Sequence, residues 1–339
     1  MSGRRSYALV TGASRGIGAA LAEALAGEGW NLILSARSGE DLERQRARLA
    51  RPGIAIQCVT ADLRAGGAAQ LLEEVARQGW EVDLLVNNAG LGSGGEFAGL
   101  ELGRELEEVQ VNIAAVVELT HGCLAGMRGR GRGAVIQVAS TAAYQPVPYM
   151  ATYAATKAFV LHFSLALHEE MRKQGIHVMA LCPGPTRTNF FQAAGLGPGR
   201  GETAEGVARR ALAGLKARRA VVVSGGNNRA LVAAVRWLPR RVVTQLAARM
   251  MKSWQRTARG GRAALPAGKI GAKGREPGSP EPASGSGVVV IPKGGPPPES
   301  EFGAAPAKRS AGLGPRGPQA GVSTSGTRGA AAQGPAPTT

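Results

Sequence analysis

A doubly wound α/β domain on a parallel sheet is the fold class that the sequence predicts for roughly its first 230 residues, and three observations predict it. Short apolar runs rich in Val, Ile and Leu alternate with helical stretches. These runs are nearly continuous rather than alternating with polar residues, as strands buried on both faces should be. The first run ends in a glycine turn that opens a helix, and polar residues recur where later runs end. In an open parallel sheet, ligands bind at that edge.

The elements follow in order. Tyr7 to Val10 forms the first strand, Thr11-Gly12-Ala13-Ser14-Arg15-Gly16-Ile17-Gly18 the turn, and Ala19 to Leu25 the helix after it. Gly12, Gly16 and Gly18 permit positive φ and close backbone approach. The helix start offers unpaired N–H groups and a positive dipole end to a pyrophosphate. A mere tight turn is the plainer alternative. Asn31 to Arg37 reads as the second strand of a βαβ unit, and its end is where an adenosine ribose should lie. Ala36 and Arg37 stand there with no carboxylate to hold a 2′-hydroxyl. Arg37 and Arg15 can instead fork onto a 2′-phosphate, so the expected cofactor is NADP(H).

Ile54 to Val59 is the third strand candidate, followed by Asp62-Leu63, and Val82 to Val86 the fourth, followed by Asn87-Asn88-Ala89-Gly90. Asn112 falls within a helical stretch. Ala134 to Ala139 leads into Ser140, and Tyr153 and Lys157 come next on a helix. Residues i and i+4 share a helix face, so the ammonium can lie beside the phenol. A free tyrosine, with a pKa of about 10, is a poor base at neutral pH, and a neighbouring cation is expected to lower that value. Alone, the spacing fits a half-buried Tyr beside a solvated Lys equally well. Val178 to Leu181 is the next strand, closing at Cys182-Pro183-Gly184-Pro185-Thr186-Arg187-Thr188, and Ala220 to Ser224 is the last.

With these residues in order, the stretch from about Ser6 to Gly226 resembles the short-chain dehydrogenase/reductase family, which has a Rossmann fold. The resemblance implies a catalytic set of Asn112, Ser140, Tyr153 and Lys157. It implies cofactor contacts at Gly12, Ser14, Arg15, Gly16, Ile17, Gly18, Arg37, Asp62, Leu63, Asn88, Ala89, Gly90, Pro183, Gly184, Thr186 and Thr188, together with Tyr153 and Lys157. Tyr153 would exchange a proton with the substrate oxygen while Ser140 hydrogen-bonds the same oxygen. Lys157 would hold the nicotinamide ribose, and Asn112 a water behind it. Also implied are a small-molecule carbonyl or alcohol substrate and a homodimer or homotetramer. The family's substrate loop falls near 189–206, where Phe190, Phe191 and Leu196, with Pro146 and Met150, suggest an apolar pocket for a lipophilic ketone, aldehyde or ketoacyl chain. The alternative, from another class, is a non-catalytic NADP(H)-binding sensor. A pure binder needs no Ser140 and Tyr153 together.

The chain then changes character, which divides it into a catalytic domain at 1–228, a basic helical extension at 229–259 and a disordered tail at 260–339. Residues 206 to 275 hold seventeen Lys and Arg and no acidic residue, equal to the whole net charge of +17. The excess is local and has no nucleic-acid motif beside it, so no nucleic-acid partner is expected. After Leu238-Pro239, the residues Val242, Val243, Leu246, Met250 and Trp254 recur at helical spacing among Arg240, Arg241, Arg249, Lys252 and Arg256. This stripe packs against the domain, covers the substrate site or meets a partner subunit, or else it lies on an anionic membrane through 239–256. Thirteen of the twenty prolines lie beyond residue 260, in Gly/Pro/Ala-rich sequence that cannot offset its ordering entropy, and the run Val288 to Ile291 is too short to anchor a fold. His121, His162, His168 and His177 share no ligand spacing, so no metal is expected. Cys58, Cys123 and Cys182 suit free thiols. With no signal peptide visible and no run near about 20 apolar residues, the expected location is cytoplasmic, with peripheral membrane contact as a variant.

Overall fold

The computed structural model describes residues 6–199, 201–262 and 289–290, with 256–262 and 289–290 as backbone alone. Seven parallel strands form the sheet: β1 (Ser6–Thr11), β2 (Asn31–Ala36), β3 (Ile56–Thr60), β4 (Glu81–Asn87), β5 (Gly133–Val138), β6 (Ile176–Cys182) and β7 (Val221–Val223). A two-residue β8 (Val289–Val290) pairs beside β3, giving the order β7-β6-β5-β4-β1-β2-β3-β8. Within the Val288 to Ile291 run, Val289 and Val290 pair with Val59 and Thr60 at the sheet edge. Otherwise the expected disorder beyond 262 lies outside the described residues.

Strand order reverses between β1 and β4, which opens a crevice at their C-terminal ends. Thr11 fixes that crevice. Its Oγ1 accepts hydrogen bonds from the N–H groups of Asn88 and Ala89, both at 3.1 Å, so the ends of β1 and β4 cannot drift apart.

Helices cover both faces, as the unbroken apolar strands require. On one face, α1 (Gly16–Gly27) and α2 (Gly39–Leu49) bury Leu21, Leu25, Leu42 and Leu49 against the sheet. On the other face lie α3 (Gly67–Arg77) and the segment made of α4 (Leu102–Val109), a π turn (Gln110–Ala114) and α5 (Ala115–Arg130), which bury Leu71, Leu119, Cys123 and Met127. The combined helix Leu102–Arg130 is long and apolar enough to cross a membrane, a length and composition that sequence inspection missed. Its inward residues fill the core of this face instead.

α6 (Ala151–Arg172) runs beside β5 and β6 and carries Tyr153 and Lys157. A short α7 (Phe190–Ala193) follows β6, and α8 (Ala204–Lys216) returns to α1. α9 (Gly226–Val235) and α10 (Arg240–Arg262) complete the described helices and belong to the same compact unit. The single stripe expected on α10 divides in two. Val243, Ala247 and Met251 are buried, and Trp254 meets Phe191 edge-on with ring centroids 4.9 Å apart. Val242, Leu246 and Met250 remain exposed.

Candidate functional site

The site begins where α1 begins. Gly12 and Gly16 have φ of +64° and +59°, the left-handed region that glycine enters without penalty. Gly18 is needed for space, since a Cβ there would stand 2.3 Å from the Gly12 carbonyl oxygen. No side chain caps α1, and no acidic residue stands in its first turn. The dipole and N–H groups of that helix end therefore face the crevice unopposed.

A cavity of about 1060 Å³ extends from this turn along the strand ends to α10. Every residue of the expected catalytic and cofactor sets lines it except Gly18 and Asn112, which stand behind its wall. Arg37 and Arg15 both reach it, and Arg15 is held by Asp41 at 3.1 Å. Asp62 lines it too, but its carboxylate is taken by Arg64 through bonds of 3.0 and 2.7 Å. That hydrogen bonding holds Asp62 below the usual carboxylate range against the effect of burial. Asn88 turns its amide onto the carbonyls of Thr11 and Gly12, at 2.9 and 3.3 Å, and so braces the glycine turn. Asn87 is buried with Thr120 and Gln137 and lies outside the cavity lining.

At the opposite end, Ser140, Tyr153 and Lys157 converge. Ser140 follows β5 by two residues and caps a single 3₁₀ turn, its Oγ accepting from the Ala142 N–H at 3.1 Å. Tyr153 sits on the first turn of α6 with its ring 5.2 Å from that of Phe190. Lys157 donates from Nζ to the Val138 carbonyl at 2.8 Å, and Nζ lies 5.8 Å from the Tyr153 ring centre. The expected lowering of the phenol does not appear. Burial pushes Tyr153 up to about 12, against the opposing hydrogen bond from Ser140, and burial pushes Lys157 down to about 8. Desolvation penalises both charged forms, and here it outweighs the pairing that spacing suggested.

Asn112 occupies the π turn, fully buried. Its Oδ1 accepts from the Leu91 N–H, and its Nδ2 donates to the Leu91 carbonyl and to Thr156 Oγ1, all at about 3 Å. The amide thereby ties the loop after β4 to α6. Thr188 stands over Gly16, and Asn228, from α9, packs so closely on Gly184 that a Cβ there would meet it at 2.2 Å. Phe190, Phe191 and Met150 line the cavity, but Leu196 lies beneath them in the core. Pro146 is exposed, and its neighbour Val147 takes the place expected for it.

Sequence reasoning missed Glu108, one helical turn before Asn112. It is buried, accepts from Ser93 Oγ at 2.9 Å, and is pushed up to about 7 by burial, an effect that the nearby Lys157 opposes. The available signal was a carboxylate four residues before Asn112, on the same side of the helix. Among the described residues no cluster of His, Cys, Asp or Glu could hold a metal, and Cys58, Cys123 and Cys182 are buried free thiols.

A sequence profile described as short chain dehydrogenase matches residues 6–197. A protein named as a ketoacyl reductase of the monensin polyketide synthase in Streptomyces virginiae is 39% identical over 189 residues, covering 55% of this chain and 72% of the relative. The inactive hydroxysteroid dehydrogenase-like protein 1 of Homo sapiens is 35% identical over 180 residues, covering 52% of this chain and 54% of its own. Among solved structures, a short-chain dehydrogenase from Sphingobium yanoikuyae in complex with NADPH superposes with a TM-score of 0.62 at 27% identity, covering 80% of this chain and all of that one.

Proposed function

From the premise that this chain belongs to the short-chain dehydrogenase family of oxidoreductases, we propose that it is an NADP(H)-dependent reductase of a lipophilic ketone, aldehyde or ketoacyl group, or the reverse alcohol dehydrogenase. One observation carries the reading. An uncapped helix end suited to a pyrophosphate and a group made of the half-buried Ser140 with the buried Tyr153 and Lys157 line a single cavity. The residues fit the cofactor, because only glycine satisfies the backbone at 12 and 16 and the space at 18. Arg15 and Arg37 would hold the 2′-phosphate, and no carboxylate ends β2 to oppose it. Lys157 would hold the nicotinamide ribose, and Thr186 and Thr188 the carboxamide.

The nicotinamide, when bound, supplies the hydride in reduction or accepts it in oxidation. The protein's part is proton transfer and charge. Tyr153 is protonated in the free protein, so its phenol donates to the carbonyl oxygen as negative charge develops there. Ser140 donates to the same oxygen, stabilisation of the oxyanion-hole kind. The phenolate left on Tyr153 is offset by the ammonium of Lys157, four residues on along the same helix face, and protonation from solvent restores it. Phe190, Phe191, Met150 and Trp254 give the substrate end an apolar wall, which favours a lipophilic group beside the reacting carbonyl.

A panel of ketones, aldehydes and ketoacyl thioesters followed by NADPH absorbance tests the reading. Turnover is expected with NADPH at a lower KM than with NADH. Tyr153→Phe should bind NADPH as wild type does and lose about 10²–10⁴-fold in kcat. Near-normal activity in that variant would remove the mechanism, whereas NADPH binding with no turnover on any substrate would support the sensor instead.

A further inference from the structure

We propose that the outer face of the α9–α10 junction and α10 docks on an anionic membrane surface. Steps of about 100° per residue place Val242, Leu246 and Met250 in a stripe beside the buried Val243, Ala247 and Met251. One side of α10 is thus fixed to the protein while the adjoining side presents apolar groups outward. Trp237, at the junction, is 89% exposed, and Leu238 follows it. This indole stands almost wholly in water, and an indole is at home at the headgroup level of a bilayer.

The charge around this face identifies the occupant. Arg229, Arg236, Arg240, Arg241 and Arg249 are exposed. Among the described residues none of the five forms a salt bridge, and the stretch 206–255 itself carries no carboxylate. A second copy of the chain would bring this cationic face against itself across a two-fold axis, like charge on like. An anionic lipid surface meets both features, apolar stripe and basic flank, without that repulsion. The same helix walls the cavity through Met251 and Trp254, so a docked α10 sets the cavity's far end against the lipid.

Flotation of the full-length protein with phosphatidylcholine vesicles, with and without phosphatidylserine, tests the proposal. We expect binding to the phosphatidylserine vesicles that falls at least tenfold as salt is raised, and little binding to phosphatidylcholine alone. Leu246→Glu and the pair Arg240→Glu, Arg241→Glu should each weaken flotation at least tenfold while the melting temperature stays within a few degrees. All three residues are exposed, so folding is retained. Trp237→Phe should abolish the blue shift of tryptophan emission that vesicles induce. Absence of flotation at low salt overturns the proposal. So does flotation unchanged by these substitutions, which would assign binding to another segment. Conversion of an oligomer to monomer by Leu246→Glu, without loss of flotation, would make the face a contact between copies and equally overturn it.

Discussion

Replacing Lys157 with methionine should make the free protein more stable at neutral pH while disabling it. The ammonium is buried, and burial lowers its pKa from the ordinary 10.5 to about 8. At 1.36 kcal/mol for each tenfold change in proton affinity, that lowering corresponds to about 3 kcal/mol of cost for keeping the group charged in the folded state. The folded pKa is depressed for a cation, so the unfolded chain binds the proton more tightly. The cost is therefore full below pH 8 and vanishes as pH rises past 10.5. The Lys157→Met variant would carry no such cost, although it gives up the hydrogen bond to the Val138 carbonyl and leaves that oxygen unpaired, worth about 1–3 kcal/mol. The net gain at pH 7 is then about 1–2 kcal/mol, and the sign reverses at high pH. Urea denaturation of both proteins at steps between pH 7 and 10 reads this directly. Wild type should gain about 2–3 kcal/mol on the variant across that range. A difference that stays flat would mean that Lys157 is not desolvated as the structure implies, and the reasoning would fail.

Gly18→Ala places a methyl group 2.3 Å from the immovable Gly12 carbonyl, so it should lower stability by about 1–3 kcal/mol and weaken NADPH binding. Gly129→Ala, with nothing within 4 Å, is the control and should be neutral or stabilising by up to about 1 kcal/mol in the same melting and fluorescence titrations. Glu108→Gln tests the buried carboxyl. With its folded pKa raised from 4.5 to about 7, wild type loses stability as pH climbs through that window, and the variant's stability profile from pH 4.5 to 7 should be flatter. Parallel profiles for the two proteins would contradict the assignment.

The sheet was legible because its strands are continuous apolar runs, five of the seven closed by Gly, Asn or Ser, a pattern that local sequence displays. The glycine turn was legible for the same reason. What sequence could not display was competition among neighbours. Asp62 is expected at the cofactor, and its sequence does not show that Arg64 folds back on the carboxylate; Asn112 is expected to hold a water, and its sequence does not show that Leu91 claims both ends of the amide. The Tyr153 and Lys157 spacing announces their proximity but not their desolvation, which comes from residues distant in the chain. On α10, helical periodicity gives two adjacent apolar stripes equal standing. Only the position of Phe191 decides that Trp254 turns inward.

The π turn at Gln110–Ala114 carries a further consequence. Such a turn is a helix with one surplus residue, so the segments on either side of it are out of phase by about a third of a rotation. α5 uses its phase to seat Leu119 and Cys123 on the sheet, while α4 uses another to set Glu105 against Thr152 of α6. No regular helix of this length could face both partners at once. The irregularity works as a rotary joint frozen at one setting, and Asn112 sits at its axis. Deleting a single residue there would leave a smoother helix and swing α4, with both of its buried glutamates, away from the residues that now receive them.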